Sequence, residues 1–389
     1  MSDVVERQII LGAGASDGFP LGSELMDIIK KIGHDFSNNP GGFHPADKQR
    51  NATLKKVDSS FLNDLLGLIR DIENSCAVSI DFYTSRIRNK NRQKISEALV
   101  GAIINSFEFD RATTWYGHLL QIFFPESFDF QSSEKKLKSI KDKVKAVRII
   151  TFNYDLSLEK YLYSFLKNNI FYEEKDVKFL EEAKKAVFSR IEHVYGSIDE
   201  RFKCELEDKK QFRLIKYDGI RSRQIIKQNN HNSTLEFNDA ALRDACQNQE
   251  KYCQNIRLIE DKRSDEKLKL EVSKCDYLYI LGFGFDPENI KRIGLNSSTW
   301  KKGCFVTNFG DNKKIKRIAL SVLSNKKILS CRVPIISKLS VKEALEKDFS
   351  LSEQTLSEII PLTANGSISP YFEMMKYEKL NNSQKTNPN

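Results

Sequence analysis

The densest run of residues able to do chemistry lies near the start of the chain, where Ile9-Ile10-Leu11 leads into Gly12-Ala13-Gly14-Ala15-Ser16-Asp17-Gly18-Phe19-Pro20. An apolar strand that runs into glycines lets backbone N–H groups approach a phosphate, and a following helix offers its N-terminus to the same anion. Gly12 and Gly14 fit the opening of the dinucleotide fingerprint. The third glycine, Gly18, falls one place late, with Asp17 standing where it is required. The acidic residue that should end a second strand about 20 residues on is also missing, because Leu21 to Ile32 has helical apolar spacing through Leu25, Ile28 and Ile29. A hydride-transferring dehydrogenase is disfavoured.

Four more stretches carry polar or glycine residues directly behind an apolar run. Asn153-Tyr154-Asp155 follows Ala146 to Phe152, and Gly196-Ser197 follows Ile191-Glu192-His193-Val194-Tyr195. Gly282-Phe283-Gly284-Phe285 follows Tyr277 to Leu281, and Asn308 follows Cys304 to Thr307. An amide orients hydroxyls or water without titrating, and an imidazole is a base near neutral pH. Each residue also has a plain structural reading: Asn153 and Asn308 as turn residues, Asp155 as a helix cap, His193 as a core histidine.

The elements that position these residues alternate between strand and helix, which implies a parallel sheet with ligands at the carboxyl ends of its strands. The expected fold class is α/β, a Rossmann-like parallel sheet with an inserted helical module. Residues 1–36 and 146–335 form the α/β domain, and 37–145 the helical insertion, where Phe61 to Ile72, Ile95 to Ile103 and Trp115 to Phe123 have helical periodicity. A charged insertion or lid spans 199–274, a C-terminal helical segment 336–380 and a disordered tail 381–389. Asp311 is expected to cap the helix carrying Ile315, Ile318, Ala319 and Val322, and Ile328-Leu329 to add one more strand.

At 389 residues, 40% hydrophobic and 30% charged, the chain has the make-up of a globular protein with a substantial core. No run approaches the ~18 apolar residues of a membrane helix, and Met1 to Gln8 lacks a signal-peptide core, so a cytoplasmic location without membrane contact is expected. Seven scattered cysteines without a C-x-x-C pair argue against a disulfide framework and a zinc ribbon, and read as mostly buried thiols. His34, His44, His118 and His231 share no metal-ligand spacing. The formal charge of +9 gathers at Lys135 to Arg148 and Lys313 to Arg317, patches that read as solvated helix faces before they read as a nucleic-acid surface.

Taken in order, Gly12-Ala13-Gly14-Ala15-Ser16, Gly18-Phe19-Pro20, Thr151-Phe152-Asn153-Tyr154-Asp155, His193 with Gly196-Ser197, Gly282-Phe283-Gly284 and Asn308 resemble the sirtuin pattern. More closely, the set resembles the sirtuin-like NAD hydrolases of bacterial antiphage systems, over roughly residues 8–36 and 146–330. The resemblance implies cleavage of the nicotinamide–ribose bond of NAD to nicotinamide and ADP-ribose, with NAD as substrate and no metal. It implies a regulated abortive-infection effector, oligomeric, with a HerA-type ATPase as partner and a phage-derived or nucleotide trigger. Residue by residue, it implies that Gly12, Ala13, Gly14 and Ser16, with Phe19 beside them, hold the diphosphate. Asn153 and Asp155 would then meet the nicotinamide ribose, Gly282 and Gly284 the adenosine side, and Asn308 the adenine ribose.

The chemistry agrees with that assignment. Nicotinamide leaves as a neutral base from a cationic pyridinium, so the protein has only to hold the ribose, place a water and remove a proton. Two departures from the deacylase pattern matter. Tyr195 stands immediately before Gly196, where deacylases place their histidine, and His193 lies two residues earlier. If residues 193 and 195 share a strand they point to one face, which leaves His193 as base, Tyr195 as ribose partner and His193 as a structural residue all open. Leu21-Gly22-Ser23 replaces the Asp-Phe-Arg-like run, which removes support for an NAD-dependent protein deacylase. Two functions of a different kind stay open: a non-catalytic NAD- or ADP-ribose-binding subunit of a defence complex, and a nucleic-acid-binding component.

Overall fold

The computed structural model describes residues 6–15, 19, 22–38, 59–77, 79–84, 86–105, 115–123, 132–198, 241–256, 275–324 and 334–347. Six strands, β1 (Arg7–Leu11), β2 (Val147–Thr151), β3 (Ile191–His193), β4 (Cys275–Leu281), β5 (Trp300–Thr307) and β6 (Ile335–Ser337), form one sheet in the order β3-β2-β1-β4-β5-β6. Every pairing is parallel. Leu11 pairs with Thr151 and Leu281, Thr151 with His193, and Thr307 with Ser337, so the strands end along one rim. All five residues of β2 and the last five of β4 and of β5 are buried, as expected for a parallel sheet covered on both faces.

The helices are α1 (Gly22–Asn38), α2 (Ser59–Asn74), α3 (Ile80–Thr84), α4 (Lys90–Asn105), α5 (Tyr116–Phe123), α6 (Ser133–Lys145), α7 (Ser157–Phe165), α8 (Val177–Phe188), α9 (Gln249–Asn255), α10 (Pro287–Arg292), α11 (Lys313–Ser324) and α12 (Val341–Lys347). From Ile95 to Ile104 α4 is buried on every side, the state of a helix at the centre of its layer. It packs against α2 and α9, while α6 packs against α8. Two residues of the first basic patch make contacts within the protein: Lys141 pairs with Glu182 of α8 at 2.6 Å, and Lys136 Nζ donates to the Ile170 carbonyl at 3.1 Å.

Several sequence expectations are corrected. The third strand stops at His193, leaving Tyr195 in the turn beyond it. Asp311 does not cap α11: Asn312 does, its Oδ1 accepting from the N–H groups of Lys314 (3.0 Å) and Ile315 (3.3 Å). Asp311 lies in the turn before it, at φ 52°. Of the described cysteines, Cys275 and Cys304 are buried and Cys76 is exposed. Ser16, Asp17, Gly18, Pro20, His44, His231, Ile328-Leu329, most of 199–274 and all of 348–389 lie outside the described residues. Among the described residues no helix is long and apolar enough to cross a membrane.

Candidate functional site

The rim at the strand ends is closed at its centre by two glycine turns. Gly12 N–H donates to the Leu281 carbonyl (2.9 Å) and Gly14 N–H to that of Gly282 (3.0 Å), which ties the turn after β1 to the turn after β4. A Cβ on Gly12 would stand 2.5 Å from Phe283 Cα, and one on Gly282, at φ 60°, 2.9 Å from Ala15 Cα. Glycine is needed at both because backbone meets backbone there. Gly284 has nothing within 4 Å of a Cβ and needs no such exemption. Thr307 Oγ1 accepts from Gly282 N–H at 2.7 Å, linking β5 into the same turn.

The helical layer braces these loops from outside the sheet. Trp115, just ahead of α5, donates its indole N–H to the Ala15 carbonyl at 2.7 Å. Next to it the Tyr116 hydroxyl bonds Ser157 Oγ at 2.7 Å, and Ser157 in turn bonds Asp155. Asp155 Oδ1 also accepts from Ser157 N–H at 2.9 Å, so this carboxylate organises the entry to α7. Phe19 is buried in the core.

His193 and Tyr195 diverge. Nδ1 of His193 lies 2.8 Å from the Asn153 carbonyl oxygen and Nε2 lies 2.6 Å from Glu159 Oε1, on the first turn of α7. A carbonyl only accepts, so Nδ1 carries a proton and Nε2 shares one with the carboxylate. Both side chains are 1% exposed. With both nitrogens engaged inside the protein, the ring ties β3, the turn after β2 and α7 together. Tyr195 turns instead toward α10, donating its hydroxyl to Asn289 Oδ1 and stacking on Tyr154 (6.1 Å between centroids). Its ring is 5.7 Å from that of Phe152, which lies 5.1 Å from that of Phe283. An aromatic cluster therefore joins the turns after β2, β3 and β4.

Among the described residues, three polar atoms along the rim are buried without a hydrogen-bond partner: Asn153 Oδ1, Ser197 Oγ and Asn308 Oδ1. The backbone around each is satisfied, with Asn153 N–H on Thr151 Oγ1 (3.1 Å), Ile198 N–H on the Tyr154 carbonyl (2.9 Å) and Asn308 N–H on that of Ser337 (2.7 Å). Asn308 Nδ2 bonds the Asn312 carbonyl at 3.0 Å, the turn reading of that residue, yet its oxygen is left over. The two amide oxygens call for a donor and the hydroxyl for either kind of partner, from ordered water or from a ligand.

The structure thus brings Gly12, Gly14 and Gly282 into backbone contact, with Gly12 buried, Ala13 half-buried and Gly14 exposed. Asn153 and Tyr195 stand at neighbouring strand ends with His193 buried beside them, Asn308 stands across β1 and β4 at the end of β5, and Gly284 is on the surface. Glu159 was missed by sequence reasoning, although Glu159, Leu162, Tyr163 and Leu166, at i, i+3, i+4 and i+7, form one buried stripe that could have revealed it. Trp115 is core, as its type suggests, and also a partner of the glycine turn. Among the described residues no group of three His, Cys, Asp or Glu could hold a metal ion. A cavity of about 610 Å³ lies in the helical layer, lined by Asp71, Tyr83, Arg86, Arg88 and Arg92 among others, with no residue of the rim.

Six parallel strands in this order, with helices between them, define a Rossmann-like α/β protein. Comparison with known proteins found no matching family model, no curated relative and no matching solved structure.

Proposed function

We propose that this chain binds NAD along the strand-end rim and hydrolyses its nicotinamide–ribose bond, with water as acceptor and nicotinamide, ADP-ribose and a proton as products. The observation that carries this reading is the set of buried, unpartnered polar atoms, the amide oxygens of Asn153 and Asn308 and the hydroxyl of Ser197, on a sheet of dinucleotide-binding order. The amide oxygens need donors, and the ribose hydroxyls of a dinucleotide are donors. Asn153 Oδ1 holds a nicotinamide-ribose hydroxyl or the attacking water and Asn308 Oδ1 the adenine ribose, while the diphosphate crosses the Gly12–Ala15 turn, whose Gly12, Gly14 and Ala15 N–H groups are already bonded to carbonyls of the protein. His193 acts through the Asn153 carbonyl as a positioning residue. The oxocarbenium-like transition state captures water without a strong base, so this geometry is compatible with turnover.

The sirtuin-like resemblance extends the proposal to a regulated antiphage effector that works as an oligomer, with a HerA-type ATPase as candidate partner and a phage-derived or nucleotide trigger. A second reading, an NAD- or ADP-ribose-binding subunit without turnover, is favoured by one observation: both nitrogens of His193 are already bonded within the protein. Nicotinamide release from NAD, measured with and without lysate from the source cells, separates the two. Turnover that Asn153→Ala abolishes supports hydrolysis. Saturable NAD binding with no release under every condition supports the second reading, and full activity of Asn153→Ala refutes the site.

A further inference from the structure

Arg292, the last residue of α10, is only 6% exposed. Its Nε has no hydrogen-bond partner, and none of the ion pairs among the described residues includes it. A guanidinium stays charged at any pH a folded protein survives, so burial here cannot be relieved by losing a proton. Among the described residues the favourable contact is the Tyr195 ring, whose centroid lies 4.9 Å from the guanidinium carbon. A ring face attracts a cation but accepts none of its in-plane N–H groups. Tyr195 is itself fixed by Asn289, one turn back along α10, and by Tyr154 and Phe152 after β2. The charge is therefore held against the turn after β3, which also carries Ser197, over a ring that stacks on Tyr154 in the turn after β2, which carries Asn153.

We infer that Arg292 is an anion-binding residue of this rim and takes a phosphate of a sugar-phosphate ligand. The unmatched groups of the rim set what the ligand must carry: Asn153 Oδ1 requires a donor such as a sugar hydroxyl, while Arg292 requires an anionic acceptor, and two oxygens of a tetrahedral phosphate match its donor fork. The identity of that phosphate as the NAD diphosphate rests on the proposed function. The anion site itself does not.

The test uses the full chain with inorganic pyrophosphate, ADP and NAD as probes, read by calorimetry and thermal melting, on wild type, Arg292→Met and Arg292→Lys. Pyrophosphate and ADP are expected to bind wild type, with affinity lost roughly 10- to 100-fold in Arg292→Met, the worth of one or two charge-assisted hydrogen bonds, and less in Arg292→Lys. Without ligand, Arg292→Met is expected to melt at or above wild type, because a buried unpaired charge has been removed. Wild-type affinity for both anions in Arg292→Met, or no binding of either by wild type, overturns the inference. So does a ligand-free Arg292→Met that melts several degrees lower with unchanged affinity, which would make the arginine a brace for Tyr195. Arg292-dependent binding of ADP without nicotinamide release from NAD retires only the hydrolase reading. Nicotinamide release with an unchanged KM in Arg292→Met retires only the anion site.

Discussion

Replacing Glu159 tests whether His193 belongs to the scaffold or to the reaction. The two side chains are each 1% exposed and meet at 2.6 Å, while the other ring nitrogen reaches the Asn153 carbonyl at 2.8 Å. Glu159→Ala leaves a buried imidazole with one nitrogen unmatched, and breaking a buried pair from one side costs about 3–5 kcal/mol. Glu159→Gln keeps the volume and donates an amide N–H to the neutral Nε2, so the loss shrinks to about 1 kcal/mol, the gap between a charge-assisted and a neutral hydrogen bond. His193→Ala strands both the carboxylate and the carbonyl and falls at the upper end of the first range. At roughly 2–4 °C per kcal/mol for a cooperative unit of 150–250 residues, the expected melting shifts are about 6–20 °C for Glu159→Ala and about 2–4 °C for Glu159→Gln. Thermal melts followed by circular dichroism, paired with nicotinamide release by the folded fraction, read both quantities. The reasoning fails if Glu159→Gln melts as low as Glu159→Ala. It fails equally if His193→Ala melts like wild type yet loses all turnover, since the imidazole would then be acting on the reacting atoms.

Gly282→Ala is expected to lose about 1–3 kcal/mol, because its Cβ meets the Ala15 backbone at a φ of 60°, whereas Gly284→Ala, with open space around it, stays within about 0.5 kcal/mol of wild type. Urea midpoints compare the pair directly. Trp115→Phe keeps the ring packing but frees the Ala15 carbonyl, costing about 1–3 kcal/mol and weakening ligand affinity at the glycine turn, measurable by calorimetry. Burial on α4 raises the Glu97 carboxyl above its ordinary value of 4.5, with Gln93 opposing. Its contribution to stability is full below 4.5 and is lost as pH climbs through the raised folded value, so Glu97→Gln should gain most at neutral pH and flatten the pH–stability curve.

Five of the six strands were legible because they are largely buried and read as apolar runs closed by glycine or polar residues, whereas β6 (Ile335–Ser337), short and half-buried, falls where the C-terminal helical segment was expected to begin. Lateral relations were not. Residues 193 and 195 share a face only within a strand, and β3 ends at His193, so backbone alternation was extended two residues too far. Glu159 and Lys160 are adjacent charged residues, and only the helical spacing of Glu159 with Leu162, Tyr163 and Leu166 separates the buried one from its neighbour. Arg292 left no trace at all: behind Pro287 and Lys291 it has the look of a solvated basic residue at a helix end, and its burial arises from Tyr195, a turn distant in sequence.

The two kinds of contact along the rim constrain where a ligand can lie. In an open sheet of this order the crevice is expected between β1 and β4, where the chain's crossovers diverge. Here the Gly12 and Gly282 turns touch through backbone atoms, and Trp115 holds the first of them from behind, so that point is filled by the protein itself. The unmatched polar atoms flank it: Asn153 and Ser197 on the β2–β3 side and Asn308 on the β5 side, with Arg292 brought across to the first group by Tyr195. A ligand satisfying all of them must straddle the glycine turns, with hydroxyl donors at both ends and negative charge between them or beside Arg292. Two sugars joined by phosphates meet that requirement, and a single compact anion does not, which is why affinity for ADP-ribose should exceed affinity for pyrophosphate by more than the phosphate contacts alone supply.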